Sequence, residues 1–289
     1  MSENLVQAVL FALLTANIYG LNVVIAKKGL QFTDPFNGAL VSIGLPTLGY
    51  WALSPWLVPA GDWRSPGVAV FLLNGLFQPF MTFVMFLEGT RRLGPTISAS
   101  VSSIAPMLAV VAAGVLGEPL SAPTLLGTAG IVTGVIVLSW RGRGPARWSR
   151  WALAFPVATA ALRGLAHNLA RYGMGMLGSP LTAALMTHTV STLSLLLVWG
   201  WRRRTTPGSI DWSKGNYFIL LGLVNGGAVV SMYHAFSLGS VVLVSPIVSS
   251  FPLFTLFYSL LFRQERFSRR MLLGVLLIVP GVIVVTAFK

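Results

Sequence analysis

The sequence predicts an all-α integral membrane protein, with ten transmembrane helices arranged as two inverted five-helix repeats around a central cavity. Three observations lead there: a composition suited to lipid, ten apolar runs of membrane-crossing length, and a repeat whose copies carry opposite loop charge. Of 289 residues, 55% are hydrophobic and 9% charged, against roughly a quarter charged in ordinary soluble domains. So little charge fits a surface solvated by hydrocarbon. The net charge of +13 does not indicate a nucleic-acid partner, because Lys and Arg sit in short gaps between apolar runs and not on one long face. The chain has no cysteine, which excludes disulfides, thiolate metal ligands and Cys nucleophiles. No cofactor or metal is expected.

Runs long enough to cross a hydrocarbon core of about 30 Å lie near residues 5–26, 36–58, 67–88, 95–116, 121–140, 151–171, 180–201, 216–237, 241–262 and 271–288. The first has no basic segment before it and continues into Asn17, Tyr19 and Asn22, so it reads as a span and not as a cleaved signal. The nine Trp residues lie in or near the ends of these runs, where an amphipathic ring favours the headgroup level. Lys and Arg in short loops are retained on the cytoplasmic side. The loops after the odd-numbered spans carry sixteen of the twenty, from Lys27 and Lys28 to Arg269 and Arg270. The other side has Arg64, Arg171 and Lys289. Both termini are therefore expected outside the cytoplasm.

The two halves repeat. TANIYGLNVVIAKKGL from Thr15 matches TAALRGLAHNLARYGM from Thr159; SASVSS from Ser98 matches SPIVSS from Ser245; and Glu118, Gly127 and Gly134 match Glu265, Gly274 and Gly281. Five spans per half invert the second copy relative to the first. The charges agree: the loop around Glu118 has no Lys or Arg, while its copy around Glu265 has Arg263, Arg266, Arg269 and Arg270. The expected domains are residues 1–140 and 151–289, joined by a basic Gly and Pro linker over 141–150.

An inverted repeat argues for transport, because a pseudo-two-fold axis in the membrane plane supplies two conformations of similar energy. IYGLNVVIAKKGL in span 1, SSIAP followed by LGEPLS, the copy SSFP followed by RQERFS, and the Gly127 and Gly134 ladder resemble the drug/metabolite transporter superfamily in its ten-helix EamA-type branch. Within it the chain looks most like bacterial inner-membrane exporters of aromatic and hydrophobic amino acids, of the YddG kind. The resemblance implies a central substrate cavity with spans 1, 3, 4, 6, 8 and 9 closest to it.

Arg163 falls about twelve positions into span 6, near 18 Å deep at 1.5 Å per residue. A charge at that depth costs at least about 2.5–3.5 kcal/mol on insertion scales. No acid lies in the middle of a span, since Glu88, Glu118 and Glu265 map to helix ends. A substrate carboxylate suits the planar guanidinium; the alternative is a purely structural Arg163 bonded to backbone carbonyls. His167, four residues on, shares its helix face. His188 and His234 are candidate proton carriers, against the plainer reading of histidines satisfied within the bundle. Asn17, Tyr19 and Asn22 in span 1, Asn74 and Gln78 in span 3, and Asn225 and Tyr233 in span 8 offer neutral polar groups suited to a zwitterion. Met81, Phe83, Met85, Met232, Phe236 and Tyr258 offer apolar walls.

Ser98 with Ser102, and Ser245 with Ser249, are i, i+4 pairs on one face, readable either as rungs of two gates or as close helix packing. Pro106 and Pro252 each remove a helical hydrogen bond and mark candidate hinges. Glu118 and Glu265 are expected to cap or pair at loops beside Ser121 and Ser268.

An enzyme would need a nucleophile, a metal cluster or paired acids, none of which is present. A channel would need a charged ring or an oligomeric filter. The expected function is a secondary transporter exporting aromatic or hydrophobic amino acids by alternating access and facilitated diffusion, acting as a monomer in the lipid bilayer on a small-molecule substrate. The alternative is a proton-coupled exporter of other small metabolites or drugs.

Overall fold

The computed structural model describes residues 3–29, 35–93, 98, 101–139, 150–205, 216–263 and 269–288. All the described elements are helical. Span 1 is Glu3–Gly29, span 2 Pro35–Leu57, span 5 Ala122–Ser139, span 6 Ala154–Met174, span 7 Pro180–Thr205, span 8 Asn216–Leu238 and span 10 Arg269–Ala287. Span 3 is interrupted, running Pro66–Gly75, then a wide turn over Leu76–Met81, then Thr82–Leu93. Span 9 is broken into Val241–Ser249 and Phe251–Leu261, and span 4 is described as a helix over Ala105–Val115. Among the described residues six helices are apolar and long enough to cross a bilayer, namely spans 1, 3, 7, 8, 9 and 10. Spans 4 and 5 are shorter apolar helices, and spans 2 and 6 have 23 and 21 residues, enough for about 30 Å at 1.5 Å per residue. The linker over 141–149, Glu265 and Ser268 lie outside the described residues.

Local chemistry explains where the helices start. Proline opens spans 2, 3 and 7 at Pro35, Pro66 and Pro180, where a missing N–H costs nothing. Ser65 Oγ accepts from Gly67 N at 3.1 Å, Ser121 Oγ from Thr124 N at 3.2 Å and Ser179 Oγ from Leu181 N at 3.2 Å, capping spans 3, 5 and 7.

The repeats are interleaved, not placed side by side. Span 1 packs on spans 8 and 9 of the second half, and span 6 packs on spans 3 and 4 of the first. Span 2 lies against span 8, and span 7 against span 3. Exchanging the halves turns each of these pairs into another of them. Two further pairs, spans 2 with 7 and spans 5 with 10, map onto themselves and so straddle the pseudo-two-fold axis.

Two contacts locate that axis. Thr47 and Thr192 share a hydrogen bond of 2.8 Å across 145 positions, the offset that also separates Pro35 from Pro180, so a residue meets its own copy. Where spans 5 and 10 cross, Gly127 faces Gly281 and Gly134 faces Gly274, and the two contacts interchange under the repeat. A Cβ on any of these four glycines would lie 2.6–3.1 Å from a carbonyl oxygen of the facing glycine. Only hydrogen at these positions lets the backbones approach so closely, as in other small-residue seams between membrane helices.

Two acids tie the halves together, and an arginine joins two spans within the second half. Asp62, 6% exposed, accepts from Gly178 N at 2.9 Å, Ser179 N at 3.1 Å and Thr182 Oγ1 at 2.7 Å, so a first-half acid caps span 7. Glu118 accepts from Val241 N and Val242 N, both at 3.1 Å, capping span 9 and not the neighbouring Ser121 helix. Its carboxylate sits at the positive end of that helix dipole. Arg171 Nη1 donates to the carbonyls of Phe236 at 2.8 Å and Ser237 at 3.2 Å, covering the C-terminal end of span 8.

Candidate functional site

A cavity of about 370 Å³ lies between the repeats. Spans 1, 3, 6, 7, 8 and 9 line it. Span 7, not expected there, lines it because it packs along the interrupted stretch of span 3, and the described residues of span 4 do not reach it.

Helical spacing explains most of the lining. In span 1, Tyr19, Asn22 and Val23 are i, i+3 and i+4; in span 8, Asn225, Val229, Met232 and Tyr233 are i, i+4, i+7 and i+8, so each set forms one stripe. Span 6 contributes Arg163 and His167, span 7 Thr187 and His188, and span 9 Val248, Ser249 and Phe251 around its break. Span 3 contributes Gln78, Pro79 and Phe83. Gln78 has φ −136° and ψ 127° inside an otherwise helical run, which turns its side chain and Pro79 out of the regular ladder. Such irregular backbone is tolerated at membrane depth where it lines a cavity. Side chains satisfy the carbonyls freed nearby: Ser191 Oγ donates to Gly75 O at 2.6 Å, and Thr82 Oγ1 to Pro79 O at 3.0 Å.

Of the residues singled out from sequence, Tyr19, Asn22, Gln78, Phe83, Arg163, His167, His188, Asn225, Met232, Tyr233 and Ser249 line the cavity. Arg163 has no hydrogen bond or ion pair to any described residue; Asp62 and Glu118 are held as caps of spans 7 and 9, and Glu88 pairs with Arg92 at 2.6 Å. The repeat counterpart of Arg163, 144 positions earlier, is Tyr19. A phenol thus faces the cavity in one half where a guanidinium faces it in the other, and the pseudo-symmetry of the fold gives way to an electrically polar chamber. His167 Nδ1 shares a 2.8 Å hydrogen bond with Ser245 Oγ, which fixes its ring. Tyr233 donates to Thr187 Oγ1 at 3.1 Å, Tyr19 to Met232 Sδ at 3.7 Å, and Asn22 Nδ2 to Asn225 Oδ1 at 3.2 Å.

Other expected residues lie elsewhere. Asn17 accepts from Tyr258 at 3.0 Å, joining span 1 to the second part of span 9. Ser102 donates to Pro156 O at 3.4 Å, whereas its repeat mate Ser249 faces the cavity. Ser98 is fully buried, its hydroxyl 3.5 Å from Phe86 O. Pro106 and Pro252 both stand at the second position of a helix that restarts after a break, Ala105–Val115 and Phe251–Leu261. His234 packs edge-on against Phe11, ring centroids 4.2 Å apart, away from the cavity. Thr187, Val23, Val229, Val248 and Phe251 had not been singled out. The stripe through Asn225 and Tyr233 points to Val229, but Thr187 carries no such signal.

A model of the EamA-like transporter family matches the chain twice, over residues 6–140 and 150–287. The chain belongs to the EamA-like transporter family. Its two copies of the family unit account for the repeat and for the pseudo-two-fold contacts at Thr47 with Thr192 and along the glycine seam. Members of this family are membrane transporters, so this EamA protein works on a small-molecule substrate in a lipid bilayer. No curated protein sequence matches. A solved structure titled "Crystal structure of protein" superposes with a TM-score of 0.79 over 98% of this chain and 99% of its own, at 18% identity, which shows a shared fold.

Proposed function

We propose that this EamA transporter exports amino acids with aromatic or other hydrophobic side chains across a bacterial inner membrane, by alternating access and down the substrate's own gradient. The observation that carries the proposal is Arg163, a guanidinium facing the central cavity with no partner among the described residues. A charge in that position is costly unless something completes it, and a carboxylate is the planar acceptor that a guanidinium binds through two hydrogen bonds. Phe83, Met232, Val248 and Phe251 supply an apolar wall of the kind that holds a bulky side chain. A cavity near the lower end of the ligand-site range of about 300–1,000 Å³ favours one small solute. His167, Tyr19, Asn22, Gln78, Ser249 and Tyr233 complete the proposed binding set, and the helix restarts at Pro106 and Pro252 are the proposed hinges.

None of the described cavity-lining residues is a carboxylate, a common carrier for proton exchange, which favours facilitated movement; under the proton-coupled alternative His188 would be the carrier. Both termini are placed on the non-cytoplasmic side by the basic loops. The test is uptake into liposomes of labelled amino acids, organic cations and phosphates. Hydrophobic amino acids should be carried, insensitively to an imposed pH gradient. Arg163→Ala should lose this transport while remaining folded, and Arg163→Lys should keep only part of it, since an ammonium cannot reproduce the fork. Undiminished amino-acid transport by folded Arg163→Ala would remove the proposal's basis.

A further inference from the structure

The polar atoms of the cavity are unevenly satisfied. Asn22 Oδ1 and Gln78 Oε1 are buried without any hydrogen-bond partner, and so is the accepting ring nitrogen of His188, whose other nitrogen lies toward the Ala184 carbonyl. His188 is 1% exposed and Asn22 8% exposed, so bulk water does not reach them, and all three residues line the cavity. Buried polar groups are nearly always paired, and exceptions point to a missing partner. The unpaired atoms share one chemistry. An amide oxygen only accepts, and a neutral imidazole offers one accepting nitrogen.

These groups come from three spans that line the same cavity. Tyr50 packs edge-on against His188 with ring centroids 5.3 Å apart, and its hydroxyl donates to Gly226 O at 2.8 Å. Asn225, next in the chain, holds Asn22 through its side chain. Gln78 comes from the interrupted part of span 3, against which span 7 packs. On span 1, Asn22 stands one turn beyond Tyr19, which lies within electrostatic reach of Arg163. The accepting groups and the donating Arg163 therefore line one cavity.

We infer that the Asn22, Gln78 and His188 pole binds the substrate's ammonium group, so that the cavity reads both charges of an amino acid's zwitterionic head. An ammonium has three donors and no acceptor, matching two amide oxygens and one imidazole lone pair. This inference rests on the carboxylate reading of Arg163 and goes beyond it. A carboxylate alone would leave the accepting pole unpaired, and a ligand with only an amine would leave Arg163 unpaired. Sites built around such groups reject analogues that lack the matching one.

The experiment compares phenylalanine with 3-phenylpropionate, its analogue without the amine, and with 2-phenylethylamine, its analogue without the carboxylate, in liposomes containing the full-length protein. Wild type should prefer phenylalanine over 3-phenylpropionate by at least tenfold in kcat/KM. Gln78→Leu and His188→Leu should each lose about tenfold for phenylalanine and little for 3-phenylpropionate, collapsing the preference. Gln78→Glu retains the side chain's shape, adds a negative charge at the pole and should let 2-phenylethylamine enter. Wild type carrying phenylalanine and 3-phenylpropionate equally well would overturn the ammonium pole and leave the carboxylate reading standing. Leucine variants that lose both substrates in proportion, with Gln78→Glu admitting no amine, would also overturn it. Transport of neither carboxylate by wild type would overturn both readings.

Discussion

Replacing Gly281 by alanine tests the closest approach between the repeats. A Cβ there would lie 2.6 Å from the carbonyl oxygen of Gly127, 2.9 Å from Ile131 Cγ1 and 3.0 Å from Ile131 N. Two of those atoms are backbone of span 5, which no rotamer change can move. Reaching even 3.0 Å from the carbonyl requires the helices to part by 0.4 Å, along a seam where Gly134 and Gly274 are in equally close contact. Overpacking of this sort costs about 1–3 kcal/mol, and alanine's helix propensity offsets about 1 kcal/mol of it. A net loss of up to about 2 kcal/mol follows. Gly227 is the control, because nothing lies within 4 Å of a Cβ placed there, so Gly227→Ala gains propensity without strain. Thermal unfolding of the purified protein in detergent should place Gly281→Ala below wild type and Gly227→Ala level with it or above. If the two variants unfold together, the seam is not tight enough to matter and the reasoning from Cβ distances fails.

Asp62→Ala should lower the unfolding midpoint more than any change at an exposed acid, because it strands two backbone N–H groups and the Thr182 hydroxyl, at about 1–3 kcal/mol for a buried group. Asp62→Asn should recover part of that loss, and an unchanged midpoint in both would contradict the cap. Glu118→Ala should cost about 0.5–2 kcal/mol as a lost N-cap, read in the same scan, and Glu118→Gln, which still has one accepting oxygen, should cost less. Thr47→Val and Thr192→Val should each destabilise. Because the two hydroxyls bond each other, the double variant should cost less than the sum of the singles, by about 0.5–1.5 kcal/mol; additive losses would place the threonines apart.

Much of this protein was legible in its sequence because the bilayer imposes a strict length and polarity on every crossing. The ten apolar runs near the observed helices, the repeat and the Gly127 and Gly134 ladder are all visible in the sequence. Arg163 also stood out, since a lone charge twelve residues into an apolar run is conspicuous against its neighbours. Glu118 was recognisable as a cap, but not as a cap on span 9, whose partner residues are 123 and 124 positions away. Asp62 drew no attention, because an acid in a short loop looks like any solvated charge until Gly178, Ser179 and Thr182 are seen around it.

The sequence by itself determined that this chain lives in lipid, that it is built twice from one five-helix unit, and that the second copy is upside down. Those properties follow from local composition, period and charge, which need no contacts to be read. Only the tertiary structure decided that span 1 packs with the second half, that span 7 lines the cavity, and that Ser249 faces it while its mate Ser102 does not. Residues far apart in the chain meet through side-chain shape and backbone irregularities such as the extended Gln78. Two copies of nearly the same pattern can resolve those contacts differently, which is why repeat mates end in different surroundings.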